Sequence, residues 1–214
     1  AHAETAPSQR DGTPFPLPPK VVVAWIASAV VFCCVAMAVP IVHLVSLLTD
    51  KGMTPDGAVT VFLALMVAGA FGRILGGKLA DHIGSLQSYA CMSVLQTSVI
   101  FLFPHVQNTV LIYILAMVFG LAFSGVMASF LVAVRMMVPA RVLARSMAIV
   151  SLFGWIGMGM GGWQGGLVFD LTGDYVWSFA NGSIAGVINL IILALFYLNI
   201  RRASGHQRAQ LAST

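Results

Sequence analysis

Arg73 is the residue of this sequence with the most chemistry to offer. It stands inside a long apolar run, five residues before Lys78. At 1.5 Å per helical residue that is about 7 to 8 Å into the apolar layer. A guanidinium stays ionised and grips a carboxylate through two parallel hydrogen bonds. A charge at such depth is costly and by default marks a functional site. The alternative is snorkelling, in which the long side chain reaches the polar boundary; from the residues alone both readings stand. His43 lies one turn after Pro40 near the end of the first apolar run. Imidazole exchanges protons near neutrality, so His43 is a candidate for a proton or a substrate, although no carboxylate neighbours it in sequence. Gln164, Asn181 and Asn189 are uncharged polar residues in or near the last two runs. Such groups line a cavity or bond between helices.

Other constellations offer less. Cys33, Cys34 and Cys91 all fall in apolar runs, and no spacing resembles a zinc site, so no metal and no cofactor is expected. Ser124-Gly125 would suit an intramembrane serine hydrolase of the rhomboid type. That chemistry needs a histidine base, and His43, His82 and His105 fall at loops or span ends. An enzyme is therefore not expected.

The elements that position these residues follow from composition. Of 214 residues 59% are hydrophobic and 8% charged, against about 25% charged in a soluble domain. A soluble fold of this length has too little interior to hide that surface. The net charge of +4 comes from scattered residues, which argues against nucleic-acid binding, since that needs a clustered basic face. A bilayer-crossing helix takes about 20 apolar residues. Six runs qualify, at about 21–48, 57–78, 86–103, 110–134, 146–169 and 175–200. Helices are required because lipid leaves backbone groups no other partner. The loops sort by charge. Lys20, Lys78, His82, Arg135, Arg141, Arg145, Arg201, Arg202 and Arg208 fall on one side; Asp50, Lys51, Asp56, His105, Asp170 and Asp174 fall on the other. Basic loops mark the cytoplasmic face, so both termini are expected there, in a multi-pass protein of the cell membrane.

Residues 1–20 hold five prolines and read as an extended linker whose upstream part is missing, and residues 201–214 read as a cytoplasmic tail. Glycines cluster in the fifth span. Gly157, Gly161 and Gly165 recur every four residues, a spacing that lets helix backbones approach and that also leaves a helix free to bend as a gate. Gly69, Gly72, Gly76 and Gly77 give the second span the same two readings.

The segment from Gly72 to Gly84 resembles the loop signature of the major facilitator superfamily, G-x-L-A-D-R-x-G-R-K. Gly77, Leu79, Ala80, Asp81 and Gly84 match; His82 stands for a basic residue; Ser85 and Leu86 depart from two more. The resemblance implies a latch in which Asp81 bonds a neighbouring helix end. It implies a fold in which these six spans, as two inverted three-span repeats, form the second half of a twelve-span transporter. An N-terminal six-span half, or a second copy, would be the partner. The stretch Val39-Pro40-Ile41-Val42-His43-Leu44 and the pattern G-x-x-x-D-x-T-G-x-Y from Gly166 to Tyr175 are similar to the branch of monocarboxylate transporters and oxalate/formate antiporters. There an arginine four residues before the signature glycine contacts the substrate carboxylate, and Arg73 holds that place relative to Gly77. The resemblance thus implies a small organic anion as substrate, moved by alternating access as antiporter or symporter, with a proton as a possible coupling ion. Some relatives carry an aspartate where this chain has Gly69, and dicarboxylate antiporters add a lysine in the fifth span that this chain lacks.

Overall fold

The structure, a computed structural model, describes residues 15–212, with side chains to residue 205. Most of the expected linker, residues 1–14, lies outside the described residues, as do residues 213–214 and the side chain of Arg208.

Six helices are long and apolar enough to cross a membrane. They are α1 (Pro19–Asp50), α2 (Pro55–Ile83), α3 (Ser85–Leu102), α4 (Thr109–Met137), α5 (Ala140–Thr172) and α6 (Tyr175–Ala212), with a 3-10 turn at Phe103–His105. No strand occurs among the described residues. Five of the six outrun the apolar stretch that announces them, because a helix also satisfies its own backbone in the interfacial layer. Thus α1 begins inside the stretch read as linker, and residues 201–212 of the expected tail continue α6.

The helix ends are set by local chemistry. Pro19 and Pro55 occupy first-turn positions, where proline's missing N–H costs nothing. Thr54 caps α2 by accepting a hydrogen bond from the Gly57 N–H at 3.3 Å, as its sequence position suggests. Asn108 caps α4 in the same way through Leu111. Gly84 (φ +96°) makes the turn from α2 to α3 and Gly173 (φ +70°) closes α5, conformations that a Cβ would strain. Gly84 of the loop signature therefore has a backbone reason to be glycine.

The six helices pack as two related triplets. α2 packs chiefly on α4, and α5 chiefly on α1; α3 packs on α4, and α6 on α1. Exchanging α1 with α4, α2 with α5 and α3 with α6 maps each of these pairs onto another. Three spans reverse direction across the bilayer, so the two triplets are inverted copies, the architecture of one half of a major facilitator fold. α1, α3 and α4 form the middle of the bundle. In the most apolar windows of α2 and α5, by contrast, only 28% and 22% of residues are buried.

Candidate functional site

The depth of each candidate follows from its place on its helix. Arg73 is 18 residues from the start of α2 at Pro55, about 27 Å along the axis. His43 is seven residues from the end of α1 at Asp50, about 10 Å. Those two ends adjoin across one short turn, so Arg73 and His43 are well over 10 Å apart along the membrane normal. Gln164, eight residues before the end of α5 at Thr172, shares the depth of His43. The structure therefore groups His43 with Gln164 and sets Arg73 by itself.

Arg73 is exposed on the flank of α2, beside the buried stripe of Val61, Leu65, Gly69, Gly72 and Gly76. Among the described residues it makes no hydrogen bond or ion pair. The five carboxylates outside residues 1–14 are Asp50, Asp56, Asp81, Asp170 and Asp174, all at helix ends or in loops. Among the described residues the guanidinium thus has no counter-ion at its own depth.

His43 is fixed on both sides. Its Nε2 lies 2.9 Å from the Gly162 carbonyl oxygen of α5 and donates to it in the tautomer that carries the proton there. The ring also packs against Tyr175 at 5.7 Å, and Tyr175 stacks on Phe169 at 4.2 Å. The reason α5 comes so close is Gly165: a Cβ there would stand 2.7 Å from His43 Cδ2. Gln164 accepts a hydrogen bond from Asn181 Nδ2 at 2.7 Å, and its own Nε2 is buried without a partner. The pair joins α5 to α6 and leaves the Gln164 amide nitrogen without an acceptor.

The glycines divide by what they touch. A Cβ on Gly157 would meet Val31 Cα at 3.1 Å, and one on Gly161 would meet Val35 Cα at 2.8 Å. Gly157, Gly161 and Gly165 are thus the contact line of α5 on α1. Gly77 has nothing within 4 Å of such a Cβ, and Asp81 is exposed with no hydrogen bond or ion pair among the described residues. Among the described residues nothing requires glycine at 77, and no neighbouring helix end receives Asp81. Ser124 is buried in the α2–α4 crossing, where a Cβ on Gly69 would stand 2.8 Å from its Oγ.

Two features went unread in the sequence. Tyr89, Ser93 and Gln96 recur at helical spacing on one face of α3, and that spacing was the available signal. Tyr89 donates to Asn189 Oδ1 of α6 at 3.0 Å, Asn189 Nδ2 donates to Ser93 Oγ at 3.1 Å, and Gln96 Nε2 reaches the Cys33 carbonyl of α1 at 3.5 Å. All five are buried, so this network locks the centre of the bundle. The second is Lys51 between α1 and α2, whose Nζ donates to the carbonyls of Phe103 at 2.9 Å and Val106 at 2.7 Å. Partial burial holds its ammonium below the usual lysine range, with Asp174 acting in the opposite direction. No sequence pattern announces it, because its acceptors are backbone atoms.

A half-bundle of this kind, with polar groups along its helices and two broadly exposed helices, can offer one wall of a solute path. A search of curated proteins finds no match to the chain. The family model of the Major Facilitator Superfamily matches residues 24–213, which takes in all six spans, and the chain belongs to that superfamily.

Proposed function

We propose that these spans are the C-terminal half of a secondary transporter for a small organic anion, of the monocarboxylate or oxalate/formate kind. The observation that carries this reading is Arg73: a guanidinium inside a span, exposed and without a counter-ion among the described residues. An unpaired charge in the apolar layer is costly unless a ligand or a partner neutralises it. A carboxylate suits it by geometry, since the planar fork takes both oxygens at once. The substrate would sit between this bundle and an N-terminal six-span half, and rocking of the two would alternate access. Gln164 and His43 stand a good distance outward of Arg73, so their part would be at the outer mouth, with His43 as a place for a coupling proton. Gly157, Gly161 and Gly165 would be the seam along which α5 shifts. Asp81 and Gly77, unengaged within the bundle, would serve as a latch toward the other half. The basic loops put both termini in the cytoplasm.

The test is uptake of a labelled monocarboxylate by the complete twelve-span assembly. Arg73→Gln is expected to abolish uptake. Arg73→Lys is expected to reduce it at least tenfold, because an ammonium cannot hold both oxygens. Undiminished uptake in both variants removes Arg73 from the site.

A second reading is a half that does not transport unaided. The six spans among the described residues supply one wall, and a path needs two. Uptake measured with and without an N-terminal six-span half separates the two: transport once the half is supplied favours the first reading, and none in either case favours the second.

A further inference from the structure

We propose that the basic end of α1, α5 and α6 is a binding surface for the headgroup of an anionic phospholipid. Ring stacking of Trp25 on Phe196 at 5.8 Å fixes the register of α1 against α6. Lys20 lies five residues before Trp25 and Arg201 five residues after Phe196, toward the same end of an antiparallel pair. The two charges therefore share one level. α5 runs parallel to α1, and a Cβ on Gly154 would meet Val30 Cγ1 at 3.2 Å. Arg145 is nine residues before Gly154 and Lys20 ten before Val30, so they agree in level to about 2 Å. Arg141 and Arg202 extend the group by one turn and one residue.

All five side chains are exposed, and none forms an ion pair among the described residues. Arg141 and Arg145 are four apart on one face of α5, a like-charge spacing that destabilises a helix unless an anion lies between. The Arg201 guanidinium rests over the Tyr197 ring at 5.8 Å, which draws it back toward the apolar part of α6. No described carboxylate stands at this end of α1, α5 or α6. The other edge of the same face is different: there Lys78, His82 and Arg135 share α2 and α4 with Asp81.

Five cations at the depth of one leaflet's headgroups, without acidic neighbours, fit a phosphodiester on a lipid. A lipid is favoured over a free anion because the cations sit where apolar helix faces begin, so acyl chains and phosphate are held together. Each basic residue near an anionic surface is worth about fivefold in binding.

The experiment reconstitutes the chain in vesicles with equal parts of phosphatidylcholine and phosphatidylglycerol, extracts it in detergent, and measures the two lipids that stay bound. Phosphatidylglycerol is expected in at least fivefold excess. In Lys20→Gln/Arg145→Gln/Arg201→Gln the excess should fall to the bulk ratio; in the control Lys78→Gln/Arg135→Gln it should persist. If the triple variant does not fold, Arg145→Gln by itself is expected to lose about fivefold of the excess. Equal retention of both lipids by the unaltered chain overturns the proposal, as does equal loss in the control. Displacement of the lipid by inorganic phosphate would mean a free-anion site and overturns it as well.

Discussion

The α2–α4 and α1–α5 crossings are the same joint built twice, and only one of them carries a charge. The contact line of α2 is Gly69, Gly72 and Gly76; adding 85 gives Gly154, Gly157 and Gly161, which with Gly165 make up the contact line of α5. Their partners obey a second constant shift. Gly120, Leu121, Ser124 and Gly125 of α4 stand 90 residues after Val30, Val31, Cys34 and Val35 of α1. The match reaches single atoms: a Cβ on Gly72 would meet Leu121 Cα at 2.7 Å, and one on Gly157 would meet Val31 Cα at 3.1 Å. Packing therefore explains the shared glycines, because both crossings need the backbones close together. It does not explain the position after the middle glycine, which is Arg73 in one copy and Met158 in the other. Where two copies of a joint agree, the residues hold the fold; where they differ, the fold did not ask for the difference.

The comparison can be broken most easily at the middle glycines. Gly72→Leu and Gly157→Leu both drive a side chain into the backbone of the facing helix. Each is expected to cost about 1–3 kcal/mol or more, seen as loss of monodisperse protein in detergent. A well-folded Gly157→Leu beside a misfolded Gly72→Leu would show the two joints to be unlike.

A smaller effect is expected from the polar contacts beside each joint. Ser88 Oγ of α3 donates to the Gly76 carbonyl of α2 at 3.1 Å, next to the α2–α4 crossing, whereas in the other copy His43 of α1 meets the Gly162 carbonyl of α5 at 2.9 Å. Ser88→Ala and His43→Ala should each lower stability by about 0.6–1.7 kcal/mol, the range for hydrogen bonds within membrane bundles. Thermal denaturation of the purified chain measures both. A null effect at His43 would leave its bond to α5 without structural weight.

The smallest effect is expected at glycines that face open space in the two matched helices. Gly77→Ala and Gly159→Ala meet nothing within 4 Å. Each should stabilise the chain by up to about 1 kcal/mol, since alanine favours a helix over glycine. If Gly77→Ala is also made in the twelve-span assembly and uptake falls, the glycine serves a contact outside this bundle.

Much of this is legible in the sequence alone. Hydropathy located six helices, since any apolar run of that length must close its own hydrogen bonds in lipid. Glycine spacing showed that α5 packs closely on something. The loop signature from Gly77 to Gly84 pointed to the superfamily that the family match then established.

The sequence by itself determined which segments cross the bilayer and which residues could approach a neighbour, because both depend on side chains within one helix. It did not determine partners. That α5 lies on α1, that His43 meets a carbonyl of α5, and that Tyr89, Ser93, Gln96, Cys33 and Asn189 meet in one buried network were decided by tertiary structure. The reason is physical: these contacts join residues far apart along the chain, and several end on backbone atoms, which every residue supplies alike. The repeat of one joint in two places was hidden for the same cause, since its two constant shifts connect pairs of helices and no single stretch of sequence holds both members.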